Sequence, residues 1–143
     1  MISTDEFRTR LAELCLKSGM VGFPRRSRHK HILLKSVTLT LGAGKEYTEP
    51  EIADRLAFWL VDIGRSIEFD HVSLRRELVD ARYLEREANG SSYRVADPGP
   101  ARDLFAPDVE SVDVYEAIGL AMRTEERGRN RRLRRAPEGP HGD

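Results

Sequence analysis

Residues 70–95, DHVSLRRELVDARYLEREANGSSYRV, decide the fold of this chain. Within them Leu74, Leu78 and Ala81 recur at i, i+4 and i+7, which is the spacing of one buried helix face. The spacing predicts a helix over 72–81 whose apolar side packs on a core.

A β-hairpin is predicted directly after this helix. Two short runs, residues 83–87 and 92–95, flank the dipeptide Asn89-Gly90. Asn and Gly tolerate the positive φ angles that a tight turn needs, so the pair is typical of a hairpin. A helix that leads straight into a small hairpin is how winged helix-turn-helix domains end. The arrangement points to nucleic acid before it points to catalysis.

Two more helices are predicted in front of this unit. Apolar residues at helical spacing indicate one helix over 25–41. The capping-box pattern T-x-x-E, formed by Thr48 and Glu51, starts another over 49–62. With the hairpin they make a winged helix-turn-helix-like three-helix domain over residues 21–96.

The rest of the chain extends this domain at both ends. Its apolar spacing predicts an N-terminal amphipathic helix at 1–20, and the composition changes after Val95. The fold class is therefore mainly α with a small β-hairpin wing, with an extra N-terminal helix and a C-terminal helix. The segments after the wing are a linker at 97–111, a C-terminal helix with an arginine-rich end at 112–135 and a disordered tail at 136–143.

Composition excludes several classes of protein. The chain has 143 residues and a single cysteine, Cys15, which rules out an internal disulfide and a cysteine-rich zinc site. No apolar run approaches the roughly 20 residues that span a bilayer, and the N-terminus has no secretory h-region. We expect a cytoplasmic protein that is not embedded in a membrane.

The formal net charge is zero, but it is the sum of opposed blocks. Residues 14–44 contain six basic residues and no acid. Residues 46–113 contain 16 acids against 8 basic residues, and residues 123–135 contain 7 Arg against two Glu. A global basic field that would attract DNA is therefore absent, although local basic regions exist.

Five segments of the sequence resemble one bacterial family, called domain of unknown function 2087. The resemblance covers about residues 23–95. It implies a winged-helix-like module that is sometimes joined to transcription-regulator helix-turn-helix domains, and it leaves the activity open. The segments are Phe23-Pro24, Tyr47-Thr48-Glu49-x-Glu51-Ile52, Leu74-Arg75-Arg76-Glu77-Leu78-Val79-Asp80, Tyr83-Leu84-x-Arg86 and Gly90-Ser91-x-Tyr93.

Eight residues are candidate DNA contacts. Four of them stand at the start of the second helix, where the helix dipole disfavours cations, so an external anion such as phosphate would explain them. Ser73 and Arg76 lie on the outward arc of the 72–81 helix and suit base edges in the major groove. The full set is Arg25, Arg26, Arg28, Lys30, Ser73, Arg75, Arg76 and Arg94.

A structural role for the same arginines stays open. Arg76 stands four residues before Asp80, so the two can form an ion pair along the helix. Arg75 can hold a neighbouring carboxylate. In the wing, Glu85 and Glu87 would oppose a phosphate that approached Arg94.

The sequence thus predicts a DNA-binding or transcription-associated regulator that contacts double-stranded DNA. The alternative is a protein–protein interaction or dimerisation module without DNA binding. It would form a homodimer or bind a protein partner through residues 112–126. A continuous basic face would favour the first, whereas acids beside Arg75 and Arg76, with exposed apolar residues on the last helix, would favour the second.

Catalysis has little support in the sequence. His29 and His31 are two residues apart and would point to different sides of a helix, which makes them poor shared metal ligands. Gly42-Ala43-Gly44-Lys45 lacks the spacing and the Ser/Thr of a phosphate-binding loop. We expect no enzyme, no catalytic residue, no metal and no cofactor.

Overall fold

Five α-helices and a small β-sheet make up the computed structural model, which describes residues 1–16, 22–99 and 101–135. The elements confirm the predicted fold class, which is mainly α with a small hairpin wing. The helices are α1 (Thr4–Leu16), α2 (Ser27–Leu39), α3 (Glu49–Asp62), α4 (His71–Asp80) and α5 (Val114–Arg135). The strands are β1 (Tyr47–Thr48), β2 (Leu84–Arg86) and β3 (Ser92–Val95), and two 3-10 helices span Arg102–Leu104 and Pro107–Ser111. The predicted tail at 136–143 lies outside the described residues, as do residues 17–20.

The sheet contains one strand that the sequence did not predict. Its order is β1-β3-β2 with both pairs antiparallel, and Tyr47 of β1 stands opposite Tyr93 of β3. Since β1 has two residues, it is too short to show an alternating pattern. The Tyr47 hydroxyl also accepts a hydrogen bond from the Gly42 backbone N–H at 2.7 Å, which ties the loop after α2 to the sheet.

The predicted hairpin turn is present between β2 and β3. Gly90 has a φ of +74°, in the left-handed region that favours glycine. The Asn89 side-chain oxygen accepts a hydrogen bond from the Ser91 backbone N–H at 2.9 Å. Asn-Gly therefore forms the tip of the wing for the reason that the sequence suggested.

The second helix is shorter than predicted, at residues 27–39 instead of 25–41. In its last turns the hydroxyls of Ser36, Thr38 and Thr40 each donate to the carbonyl three residues earlier, at 2.6, 2.8 and 2.6 Å. Such bonds compete with the helical backbone pattern. These bonds weaken the last turns, and the helix ends at Leu39, two residues before its apolar spacing ends.

The core confirms the residues that were expected to share it. Trp59 is fully buried, and its indole N–H donates to the Ser36 hydroxyl at 3.2 Å. Gly64 lies against the indole, since a Cβ at this position would stand 2.4 Å from the ring. The expected core residues, all in the buried cluster, are Leu33, Ile52, Leu56, Leu74, Leu78 and Leu84.

The segment that sequence analysis treats as a linker, 97–111, holds both 3-10 helices. Phe105 and Val109 are buried there, and the Phe105 ring meets Phe7 edge to face at 6.0 Å between ring centres. Ile2 forms a parallel bridge with Phe105. These contacts attach the segment to α1.

The last helix packs against α1 with the face that the sequence predicted. Val114 and Ile118 are buried, and Met122 is partly buried against the same cluster. This confirms burial of the stripe within one chain. From Arg123 to Arg134 the helix residues are exposed except Gly128, which is half-buried.

The caps of α3 and α4 make the fold sensitive to acid. The Glu51 carboxylate accepts from the Thr48 backbone N–H at 2.9 Å, and the Asp70 carboxylate accepts from the Ser73 backbone N–H at 2.7 Å. These hydrogen bonds lower the pKa of Glu51 from 4.5 and the pKa of Asp70 from 3.8. Both carboxylates therefore stabilise the fold above those values, and that stabilisation is lost as pH falls through the lower folded pKa.

We therefore expect the melting temperature of the Glu51→Gln, Asp70→Asn double variant to fall less steeply than that of the unchanged chain between about pH 5 and pH 3. Gln and Asn keep an acceptor oxygen at each cap but do not titrate in this range. Thermal unfolding followed by circular dichroism measures the difference. Equal slopes for the two proteins would contradict the role of these caps.

Candidate functional site

The four basic candidates at the start of α2 divide into two pairs. Arg25 and Arg26 precede the helix and are exposed. Arg28 donates twice to the Glu6 carboxylate of α1, at 2.7 and 2.8 Å. The side-chain hydrogen bond to Arg28 is the main cause of the lowered pKa of Glu6. Lys30 pairs with Glu77 of α4 at 2.6 Å.

Helix α4 presents its two arginines differently. The Arg75 guanidinium pairs with Glu49 of α3 at 3.1 Å and lies 5.6 Å from the ring centre of Tyr93. Arg76 is exposed and has no ion pair within the described residues, and the same holds for Asp80. Ser73 is half-buried near the start of the helix, where its backbone N–H donates to Asp70.

The wing arginine is surrounded by acids. Arg94 lies 3.5 Å from Glu85 on β2 and 3.3 Å from Glu87 just after it. All three side chains are at the surface. The structure therefore offers a hairpin whose positive charge is balanced locally.

Acidic partners therefore accompany most of the basic candidates. Four of the seven basic candidates have carboxylate partners, namely Arg28, Lys30, Arg75 and Arg94. Exposed ion pairs contribute only about 0–1 kcal/mol, so a phosphate can displace them. The carboxylates nevertheless stay beside the phosphate and repel it, which reduces the electrostatic gain.

A surface that sequence reasoning missed lies on α3 and the start of α5. Phe58, Val61 and Tyr115 are 52%, 68% and 40% exposed. The Phe58 and Tyr115 rings meet at 63° with their centres 5.9 Å apart. We call this surface the α3 patch and define it by Arg55, Phe58, Val61, Asp62 and Tyr115.

Charges of opposite sign border the α3 patch. Arg55 stands three residues before Phe58, and Asp62 four residues after it. Both act on Tyr115, whose pKa is raised first by burial and then by Asp62, while Arg55 lowers it. The sequence carried a signal for this surface, because Phe58 and Val61 fall outside the apolar face that Ile52 and Leu56 define.

Cys15 and His31, two side chains that can take part in chemistry, are both at least partly buried. Burial raises the pKa of the Cys15 thiol to about 12, so it is not a nucleophile at neutral pH. His31 shares a 2.7 Å hydrogen bond with the Tyr83 hydroxyl, and burial lowers the pKa of His31. Across the described residues, no three His, Cys, Asp or Glu side chains come together to hold a metal ion.

Bilayer crossing needs a helix that is both long and apolar, and no helix in residues 1–16, 22–99 or 101–135 meets that requirement. The model of one family, described as "Uncharacterized protein conserved in bacteria (DUF2087)", matches residues 19–95. The match runs from before α2 to the end of β3, so it covers the three-helix unit and its wing. No curated protein and no solved structure matches the chain.

Proposed function

Because this chain belongs to the DUF2087 family of uncharacterized bacterial proteins, we propose its function from its own surface: it is a protein-interaction module that pairs with a second copy of itself through the α3 patch. The observation that carries the proposal is the contact between two exposed aromatic rings, Phe58 and Tyr115, beside the exposed Val61. Single exposed apolar residues are ordinary, whereas a cluster rimmed by charges is typical of an interaction site.

The charges beside the patch suit a second copy better than an unrelated partner. A twofold dimer uses the same surface on both subunits, so each residue must find a complement on the identical surface. If two α3 helices cross antiparallel at Phe58, Arg55 of each copy stands opposite Asp62 of the other. An apolar centre with an acid and a base on its two sides is therefore complementary to itself.

The balance of charges on α4 and the wing supports the same choice. Nonspecific binding to DNA depends on basic residues that replace condensed counterions. Here Glu77, Glu85 and Glu87 stand among those residues.

A charge swap tests the dimer. We expect Arg55→Asp to weaken dimerisation by about tenfold or more, because it places two carboxylates opposite each other at two symmetric positions. Asp62→Arg should do the same, and the double variant Arg55→Asp, Asp62→Arg should restore the dimer. Sedimentation over a range of concentrations measures the association constant.

Val72→Asp is the matched control, since Val72 is an exposed apolar residue of α4 outside the α3 patch. It should leave dimerisation unchanged. A monomer at every concentration up to about 100 μM, a range in which specific dimers associate, would refute the proposal. So would a double swap that fails to restore the dimer that each single swap weakens.

Double-stranded DNA is the second candidate, and the order of elements favours it. From α2 to β3 the order is helix, strand, helix, helix, strand, strand, as in winged helix-turn-helix domains with α4 as the reading helix. Arg25, Arg26 and Arg76 are exposed. A cytoplasmic regulator fits this candidate.

We expect Arg26→Ala to weaken binding to all DNA sequences alike and to reduce the slope of log affinity against log salt by about one. Arg76→Ala should instead reduce the preference among sequences, and Asp80→Asn should strengthen binding because it removes an acid from α4. Mobility-shift assays at two salt concentrations measure these effects. If duplex DNA is not bound even at low salt, this candidate fails and the dimer proposal is unaffected.

A further inference from the structure

A cleft of about 620 Å³ opens between the end of α2, the end of β3 and residues 96–99 and 101–110. It shares no lining residue with the α3 patch, so a ligand in the cleft would not occupy the proposed dimer surface. Pockets that bind small molecules typically measure 300–1,000 Å³, and this cleft lies within that range. The size of the cleft does not identify a ligand, whereas the chemistry of its lining residues indicates a ligand class.

Apolar and charged residues both line the cleft. Leu39 and Val95 are half-buried and present apolar surface to the cleft, whereas Phe105 and Leu41 line it but are almost fully buried and present only a small area. Tyr83 also lines the cleft, with its hydroxyl engaged by His31. The exposed rim residues are Asp97, Arg102, Asp103 and Glu110.

One cation reaches in from the wall. The Lys35 side chain is only 14% exposed, and its ammonium lies 5.8 Å from the ring centre of Phe105. It forms an ion pair with Glu110, whose side chain is 67% exposed. A cation that is largely withdrawn from water needs an anionic partner.

The two members of this pair are unequal. Lys35 is fixed by the helix and by its burial, whereas Glu110 stands in water at the end of a 3-10 helix. An exposed carboxylate loses little by returning to solvent. Asp97, Asp103 and the displaced Glu110 repel an incoming carboxylate at the rim. Another carboxylate can therefore replace Glu110 on Lys35 only if the molecule also covers the apolar wall, so that burial of its hydrocarbon part outweighs that repulsion.

We propose that this cleft binds a small carboxylic acid with a hydrocarbon body. Its carboxylate takes the place of Glu110 on Lys35, and its hydrocarbon part lies against Leu39, Val95 and Phe105. The cation selects the head group, and the apolar walls add affinity through burial of the tail.

Octanoate and 1-octanol are the probes, because they have the same chain length and differ in the charged head. We expect the full chain to bind octanoate more tightly than 1-octanol by about tenfold or more. Lys35→Met should weaken octanoate binding by about tenfold and leave 1-octanol binding unchanged. Isothermal titration measures both affinities.

Glu110→Gln tests the exchange at an exposed position, independently of any effect of Lys35→Met on folding. It removes the competing carboxylate, so octanoate should bind several-fold more tightly, while Glu116→Gln on α5, away from the cleft, should change nothing. Amide chemical shifts should move around Leu39, Val95 and Phe105. Absence of octanoate binding at millimolar concentration, equal binding to Lys35→Met, or no gain in Glu110→Gln would each overturn the proposal.

Discussion

Trp59→Ala is expected to lower the free energy of unfolding by about 3–5 kcal/mol, which is the range for removing a large aromatic side chain from a core. Trp59 is fully buried, and Gly64 lies directly against its ring. Because glycine has no side chain, it cannot fill the cavity that Trp59→Ala leaves. The variant also loses the hydrogen bond from the indole to Ser36. Urea unfolding measures the loss of stability. It is followed by far-ultraviolet circular dichroism because Trp59 is the only tryptophan of the chain, so the variant has no tryptophan fluorescence.

Trp59→Phe separates the two contributions. It keeps an aromatic ring but removes the N–H donor, so we expect a cost of about 1–2 kcal/mol. In this variant the Ser36 hydroxyl loses the hydrogen bond that it accepts from the indole but keeps the one that it donates to the Leu33 carbonyl at 2.6 Å. If Trp59→Ala cost no more than Trp59→Phe, the close packing around the ring would not contribute as we describe.

Ile118→Ala is expected to cost about 2–4 kcal/mol, because Ile118 fixes α5 to the core and its side chain is 3% exposed. Helix α5 packs on α1, and the segment before α5 is attached to the core by the buried side chains of Phe105 and Val109. The loss of stability should therefore appear in one unfolding transition of the whole chain. Chemical unfolding of the variant measures both its stability and its cooperativity.

Leu120→Ala is the matched control in the same helix. Leu120 is 55% exposed, and its substitution should change stability by no more than about 0.5 kcal/mol. Equal effects of the two substitutions, or a separate early transition for α5, would show that the helix does not belong to the core.

Much of the fold followed from the sequence because its strongest signals are local. Helix α3 was predicted with the bounds that it has, 49–62, since Thr48 and Glu51 form a capping box with both hydrogen bonds. Helix α4 was predicted within one residue at each end. These features depend on residues within about one helical turn, so a single sequence contains them.

What the sequence could not supply depends on residues far apart along the chain. Strand β1 exists because Tyr47 meets Tyr93, not because two residues carry a pattern. The structure of 97–111 likewise depends on contacts of Phe105 with Phe7 and Ile2. Local composition around Pro98 and Pro107 indicated only breaks.

The candidate site shows the same division. The basic residues could be selected by type and position, but their acidic partners could not, since Lys30 pairs with Glu77 across two helices. The α3 patch depends on Phe58 meeting Tyr115, which stands in another helix. Pairings of this kind decide whether a positive charge is free to bind phosphate.

Two of the contacts that join distant parts of the chain are nested, and this affects the entropy of folding. The Tyr47–Tyr93 pairing lies inside the loop that Ile2 and Phe105 close. Closing a loop of about 100 residues becomes cheaper by roughly 0.6 kcal/mol when an inner closure has already halved the free length. The Ile2–Phe105 bridge therefore closes at the lowest entropic cost after the Tyr47–Tyr93 pairing has formed, which favours formation of the central unit before residues 2 and 105 are joined.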